Sequence, residues 1–272
     1  IAHIIFQLLM LLIAVSQLAP RFSLSIRYLK AKRKKMWPIL LDSHYLIIYS
    51  YPLFMGLSWG IAYLRGIADY PNLFEQKKFQ LFFFFLFVIS WIGAKVFYLI
   101  LSAKDQAGIL LQNHSFWFGG GFVFYGGLVF GLLYCFLLTK LNPFWNWKKF
   151  KNIIPGLILG HAIGRVGCFF AGCCYGVETE NFFSFYMHEA HRVPIQLYEA
   201  IGLLGLYFTY LKWPRVETYL LGYSLLRFIL EFYRGDSIRG TYFSLSSSQW
   251  VSVVLIVYVV FTNINNKHKQ QT

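Results

Sequence analysis

Residues 160–176 read GHAIGRVGCFFAGCCYG, and the residues just before them, 153–159, are apolar apart from Pro155 and Gly156. A guanidinium, an imidazole and three thiols therefore lie where a hydrophobic span would run. An arginine at the centre of a spanning helix costs about 2.5–3.5 kcal/mol on insertion scales, so Arg165 requires an anionic partner. On a helix, His161 and Arg165 are an i, i+4 pair and Cys168 follows three residues on, which places the three on one face. Gly156, Gly160, Gly164 and Gly167 recur at four, four and three residues and form an adjacent face, along which another helix can approach closely.

The rest of the chain supplies a membrane setting for this stretch. Of its 272 residues 57% are hydrophobic, 21% aromatic and only 13% charged, and the mean hydropathy is +0.52. A water-soluble fold of this length would lack the polar surface to cover itself. Stretches near 45–65, 79–101, 116–139, 152–175, 196–212, 217–233 and 245–262 are apolar over about the 20 residues that a spanning helix needs. An eighth apolar piece at 3–19 either lies in the interface or spans; it lacks a basic leading region, so a signal peptide is not expected.

These features predict an all-α polytopic helical bundle with seven core transmembrane helices. Three regions are expected: an N-terminal apolar segment and basic linker at 1–44, a seven-helix membrane domain at 45–263, and a polar tail at 264–272. No repeat of fixed period occurs, and the FFFF run at 82–85 reads as lipid-facing filler.

The formal charge of +14 points to a membrane surface as partner, not to nucleic acid. The basic residues sit in loops beside spans, and the run from Lys30 to Lys35 has no interleaved aromatics for base stacking. Arg65, Lys77, Lys78, Lys140, Lys148, Lys149, Lys151, Lys212, Arg215, Lys267 and Lys269 fall on one side, against Lys104, Arg192, Arg234 and Arg239 on the other, which makes the first side cytoplasmic. The basic run at 21–35 would then lie outside, against the rule.

A second arginine, Arg227, sits in LLRFILEFYRGD (225–236) with Glu231 one turn on, so the two can pair within their own helix. If Glu231 neutralises one arginine, the other is left for an external anion. Two guanidiniums converging inside a bundle suit a phosphate, because their fork matches phosphate oxygens and keeps its charge when desolvated. In a bilayer that phosphate belongs to a lipid headgroup. Arg234 and Asp236 read as interface anchors, and Lys95, late in its span, as a snorkelling structural residue.

Tyr125 precedes Gly126 and Gly127, where backbone can approach a ligand and a phenol can donate. Tyr51 precedes Pro52 and has a similar reading, while His161 is either a base or a hydrogen-bonded neighbour. Cys168, Cys173 and Cys174 raise the idea of a metal. Adjacent cysteines point different ways on a helix, however, and no C-x2-C pair is present, so packing or a disulfide is the preferred reading and no metal or other cofactor is expected.

With these residues in hand, the chain resembles the phosphatidylglycerol–prolipoprotein diacylglyceryl transferase family of bacterial inner membranes. The likeness runs in order through YPLFMG (51–56), IGAKVFYLI (92–100), FYGGL (124–128), GRVGCFFAGCCYG (164–176), RVPIQLYE (192–199), LLRFILEFYR (225–234) and SSSQ (246–249). The resemblance implies a multi-pass inner-membrane enzyme of seven spans, with a lipid-filled cavity open sideways to the bilayer. It would move the diacylglyceryl group of phosphatidylglycerol onto the lipobox cysteine of a prolipoprotein signal peptide and release glycerol phosphate.

On matched positions the resemblance makes Arg165 the arginine that binds phosphatidylglycerol and Arg227 the second essential arginine. It makes Tyr51 a headgroup-side tyrosine and Gly176 the closing glycine. Catalytic roles are thus expected of Arg165, Arg227, Tyr125 and His161, and lipid contacts of Arg165, Tyr51, Gly126, Gly127, Cys168, Gly176 and Glu231.

The chain departs from the family's common pattern in reading Tyr125-Gly126-Gly127 for His-Gly-Gly, Val193 for a His, and Cys168 and Cys173 for Asn and Glu. That leaves His161, Tyr125 and the substrate's own phosphate as candidate bases. Alternative readings are a divergent member with another acceptor, a protein that only binds lipid, or a transporter; the chain lacks the two related halves that a transporter of this size commonly shows.

Overall fold

The computed structural model describes residues 39–42, 47–101, 124–181, 183–235 and 241–271. These residues are mostly helical. The hairpin β1 (Ile39–Asp42) and β2 (Ile47–Tyr49) leads into α1 (Ser50–Ile67), α2 (Leu73–Leu101), α3 (Phe124–Leu141), the short α4 (Trp147–Phe150) and, after a 3-10 turn, α5 (Ile154–Ala171). A second hairpin, β3 (Phe185–Met187) and β4 (Ala190–Arg192), precedes α6 (Ile195–Lys212) and α7 (Val216–Glu231). A third, β5 (Thr241–Tyr242) and β6 (Leu245–Ser246), precedes α8 (Ser247–Gln271).

A long helix overlaps each of the seven apolar stretches. By length and composition, Leu73–Ile100 and Trp147–Ala171 are sufficient to cross a bilayer, and Gly126–Leu141 and Ser248–Ile264 are shorter apolar helices. The 3–19 piece, the basic run at 21–35, Lys104, Asp236 and Arg239 lie outside the described residues.

Two compact units can be described. The first, Trp59–Gly156, is built on aromatic packing: Tyr63, Phe79, Phe82, Phe83, Trp145 and Phe150 form its buried cluster. The FFFF run is therefore not all lipid-facing filler. Its first two rings are 2% and 1% exposed and Phe85 is 43% exposed, because four successive residues spread over about 300° of a helix and cannot all face lipid.

Small residues let α2 and α3 approach in this unit. A Cβ on Gly93 would stand 2.5 Å from the Gly126 carbonyl oxygen, one on Gly126 would overlap the Gly93 carbonyl, and one on Gly127 would stand 3.0 Å from the Ser90 carbonyl oxygen. Lys95 does not snorkel: it is 1% exposed and its ammonium lies 6.0 Å from the centre of the Trp91 ring. An amine on a packed helix face buries its stem and head together when an aromatic face receives it.

The second unit combines residues 39–58 with 157–271. Here α7 packs against both α6 and α8, and the glycine face of α5 does what its spacing predicts. A Cβ on Gly167 would overlap Phe54 of α1, and one on Gly164 would stand 3.4 Å from Ser58 Oγ. Phe54 also stacks on Phe170, ring centres 5.2 Å apart. With its glycines against α1, α5 is left free to turn its polar face elsewhere.

Candidate active site

That polar face meets α6. Arg165 Nη2 lies 3.0 Å from Glu199 Oε1, with His161 Nε2 3.8 Å from the same oxygen. Glu199 Oε2 lies 3.9 Å from Nη1 of Arg227 on α7, and the Tyr223 hydroxyl donates to Glu199 Oε1 at 3.2 Å. The Glu199 side chain is fully buried, and those of Arg165 and Arg227 are 15% and 7% exposed. Three helices thus bring a base-bearing face, a carboxylate and a second guanidinium to one point.

Arg227 and Glu231 form the pair within α7 that their spacing allows. Arg227 Nη2 also donates to Ser248 Oγ of α8 at 3.4 Å. Arg234 is not an interface anchor: its side chain is 4% exposed and its Nε lies 4.0 Å from Glu231 Oε2. The second carboxylate draws it inward, since a buried guanidinium needs an anion beside it.

Among the described residues of this cluster, three guanidiniums, those of Arg165, Arg227 and Arg234, surround two carboxylates, those of Glu199 and Glu231. Arg165 Nε and Arg227 Nη1 are buried and make no hydrogen bond within the described residues. Buried donors on a charged group are costly unless a partner takes them. Donors of this kind suit an anion that offers several acceptor oxygens.

The chain from the end of α5 to the start of α6 closes this site. Gly172 has φ 74° and Cys174 φ 58°, a left-handed exit that ends the helix before the two adjacent cysteines. The following backbone threads between two segments: the Gly176 amide donates to Val193 O at 3.0 Å and the Val177 amide to Tyr233 O at 2.9 Å. A Cβ on Gly176 would stand 2.6 Å from the Val193 carbonyl oxygen, which gives this glycine a steric reason.

Fully buried Gln196 donates from Nε2 to the Cys173 carbonyl at 2.6 Å. His188 Nε2 donates to the Gly172 carbonyl, also at 2.6 Å. Arg192 pairs with Glu178 at 2.6 Å and lies over the Tyr175 ring, 4.6 Å from its centre.

Of the residues expected from the sequence, His161, Arg165, Arg227 and Glu231 come together here. Cys168 follows Arg165 on α5, and Tyr51 at the start of α1 stands within electrostatic reach of Arg165 and the three cysteines. Gly176 frames the segment beside them. Gly126 and Gly127 pack in the first unit against α2, where helix contact accounts for their lack of a side chain; the Tyr125 side chain lies outside the described residues.

Four residues of the site, Glu199, Tyr223, Gln196 and Ser248, are not picked out by spacing. Glu199 did carry a signal, as the lone acid of α6: an acid in an apolar helix needs a cation just as Arg165 needs an anion.

Comparison with known proteins gives the family. The family described as prolipoprotein diacylglyceryl transferase matches residues 38–264. The chain belongs to the prolipoprotein diacylglyceryl transferase family. A phosphatidylglycerol–prolipoprotein diacylglyceryl transferase 2 of Clostridium perfringens is 34% identical over 251 residues, covering 83% of this chain and 94% of the relative. A phosphatidylglycerol–prolipoprotein diacylglyceryl transferase of Clostridium tetani is 30% identical over 262 residues, 86% of this chain and 100% of the relative. One from Streptococcus suis is 29% identical over 259 residues, 88% and 95%. This family member is thus a transferase, and its matched region contains every charged residue of the cluster.

Proposed function

We propose that this chain transfers the diacylglyceryl group of phosphatidylglycerol to the cysteine thiol of a prolipoprotein, an early step of lipoprotein maturation. The observation that carries the reading is the pair of buried guanidiniums, Arg165 and Arg227, on separate helices and sharing one carboxylate. Guanidinium donors converging from two helices suit the oxygens of a phosphodiester monoanion.

In the reaction the acceptor's sulfur attacks the glycerol carbon bonded to the phosphate. The S–C bond forms as the C–O bond breaks, and the electron pair leaves with the phosphate of glycerol phosphate. The phosphate passes from one negative charge towards two, and donors already aimed at it stabilise that change without reorganising. Thiolate, not thiol, is the nucleophile, so its proton must be taken up. His161 is the titratable group beside the arginines with an unassigned ring nitrogen; Tyr125 and the substrate's phosphate are the other candidates.

The acceptor cysteine is that of a lipobox in the signal peptide. The enzyme is a multi-pass protein of the bacterial inner membrane in which the seven long helices cross the bilayer. Large apolar side chains exposed along the helices, among them Leu128, Leu132, Phe136, Ile201, Phe208 and Val254, support this, since lipid covers such a surface where water would not.

Purified protein with phosphatidylglycerol and a lipobox peptide should yield the thioether-linked diacylglyceryl peptide, detected by mass. Arg165→Ala should abolish the product. Failure of the wild-type protein to form it, or full turnover by the variant, overturns the reading.

A further inference from the structure

We infer that Cys168, Cys173 and Cys174 form a zinc site whose fourth position receives the acceptor thiol. The inference rests on the transferase reading for its chemistry and on geometry for the metal. The three sulfurs all lie within 4.8 Å of one another. In a tetrahedral site with Zn–S bonds of about 2.3 Å, sulfurs stand about 3.8 Å apart, so the cluster needs to contract by no more than about 1 Å. Adjacent cysteines would diverge on a helix. Here the helix ends at Ala171 and the left-handed residues Gly172 and Cys174 swing both thiols back towards Cys168.

The frame around the ligands is fixed from outside. The Cys173 amide donates to the Cys168 carbonyl at 3.1 Å, and the Cys173 carbonyl is held by buried Gln196. Outer hydrogen bonds of this kind set ligand orientation in metal sites. All four cysteines of the chain are free thiols.

No fourth His, Cys or carboxylate joins the group among the described residues. Three protein ligands and an open position are the arrangement of a catalytic zinc.

The reaction needs what such a site provides. As zinc binds, the three S–H groups release their protons to solvent. The acceptor thiol then takes the fourth position and releases its own proton to solvent, because a zinc-bound thiol is deprotonated outright. Attack transfers the bound sulfur's electron pair to the glycerol carbon, and the phosphate departs on Arg165 and Arg227. The thioether product is neutral and a weaker ligand, so water replaces it. Proton removal then no longer depends on His161.

The full chain, purified in detergent with reductant, should hold about one zinc per chain after loading with Zn2+. Cys168→Ser and Cys174→Ser should each weaken zinc binding by roughly tenfold or more, while Cys135→Ser leaves it unchanged. Loading with Co2+ in place of zinc should give a sulfur-to-cobalt charge-transfer band. A lobe of that spectrum should shift when a peptide containing the acceptor cysteine is added, and not with its serine counterpart; this needs no variant.

Zinc below about a tenth per chain, zinc retained in the Cys→Ser variants, or a cobalt spectrum indifferent to the peptide thiol overturns the proposal. Zinc and a thiol response without diacylglyceryl product would support the metal site while rejecting the transferase reading.

Discussion

Glu199 sets the charge of the site at the scale of one side chain. It is fully buried and faces Arg165, Arg227 and His161 together. Glu199→Gln keeps the shape and removes the negative charge, leaving Arg165 buried without its carboxylate. Breaking a buried pair in this way costs about 3–5 kcal/mol, so the variant should melt at a clearly lower temperature in detergent and lose transfer. Arg165→Lys separates charge from geometry: a single ammonium cannot hold Glu199 at 3.0 Å and also fork onto a phosphate. Transfer by this variant should fall by about 10²–10³-fold with the melting temperature nearly retained. A lysine variant with wild-type rate would mean that charge alone suffices.

The critical element is the passage from α5 to α6. Its backbone is threaded between Val193 and Tyr233, and Gly176 is the point where no side chain fits. Gly176→Ala must push this segment off Val193 and displace the cysteines and Gln196 with it. Lower thermal stability and reduced transfer are expected. Gly60, in the middle of α1, has nothing within 4 Å of an added Cβ, so Gly60→Ala should be neutral or raise stability by up to about 1 kcal/mol. Comparing the two melting curves checks that the steric fit, not glycine loss in general, is what counts. Equal destabilisation by both would contradict the close approach at Gly176.

Across the molecule, charge distribution sets orientation. Within the second unit, Lys212 and Arg215 flank the α6–α7 turn, while Glu178 and Arg192 lie in the segment before α6. By the positive-inside rule the α6–α7 turn is expected on the cytoplasmic side. In a variant lacking the native cysteines, a cysteine at Glu178 should react with a membrane-impermeant thiol reagent added to intact cells. One at Arg215 should react only after the membrane is opened. The reverse pattern would invert the topology and place the acceptor peptide's entry on the wrong face.

The sequence alone determined the membrane class, the helix positions, the glycine face of α5 and the Arg227–Glu231 pair. Each follows from composition or from helical spacing, and a helix fixes its own i, i+4 neighbours wherever it packs. That the four rings of the FFFF run cannot share one face also follows from that period, but packing against the aromatic cluster decides which are buried. Tertiary structure decided the rest. Glu199 meets Arg165 from 34 positions away because α5 presents its glycines to α1 and its polar face to α6. The thiols of Cys173 and Cys174 converge on Cys168 because the helix stops one residue before a left-handed turn. Partners so far apart in the chain are chosen by packing and by where backbone leaves a helix, and local spacing carries no information on either.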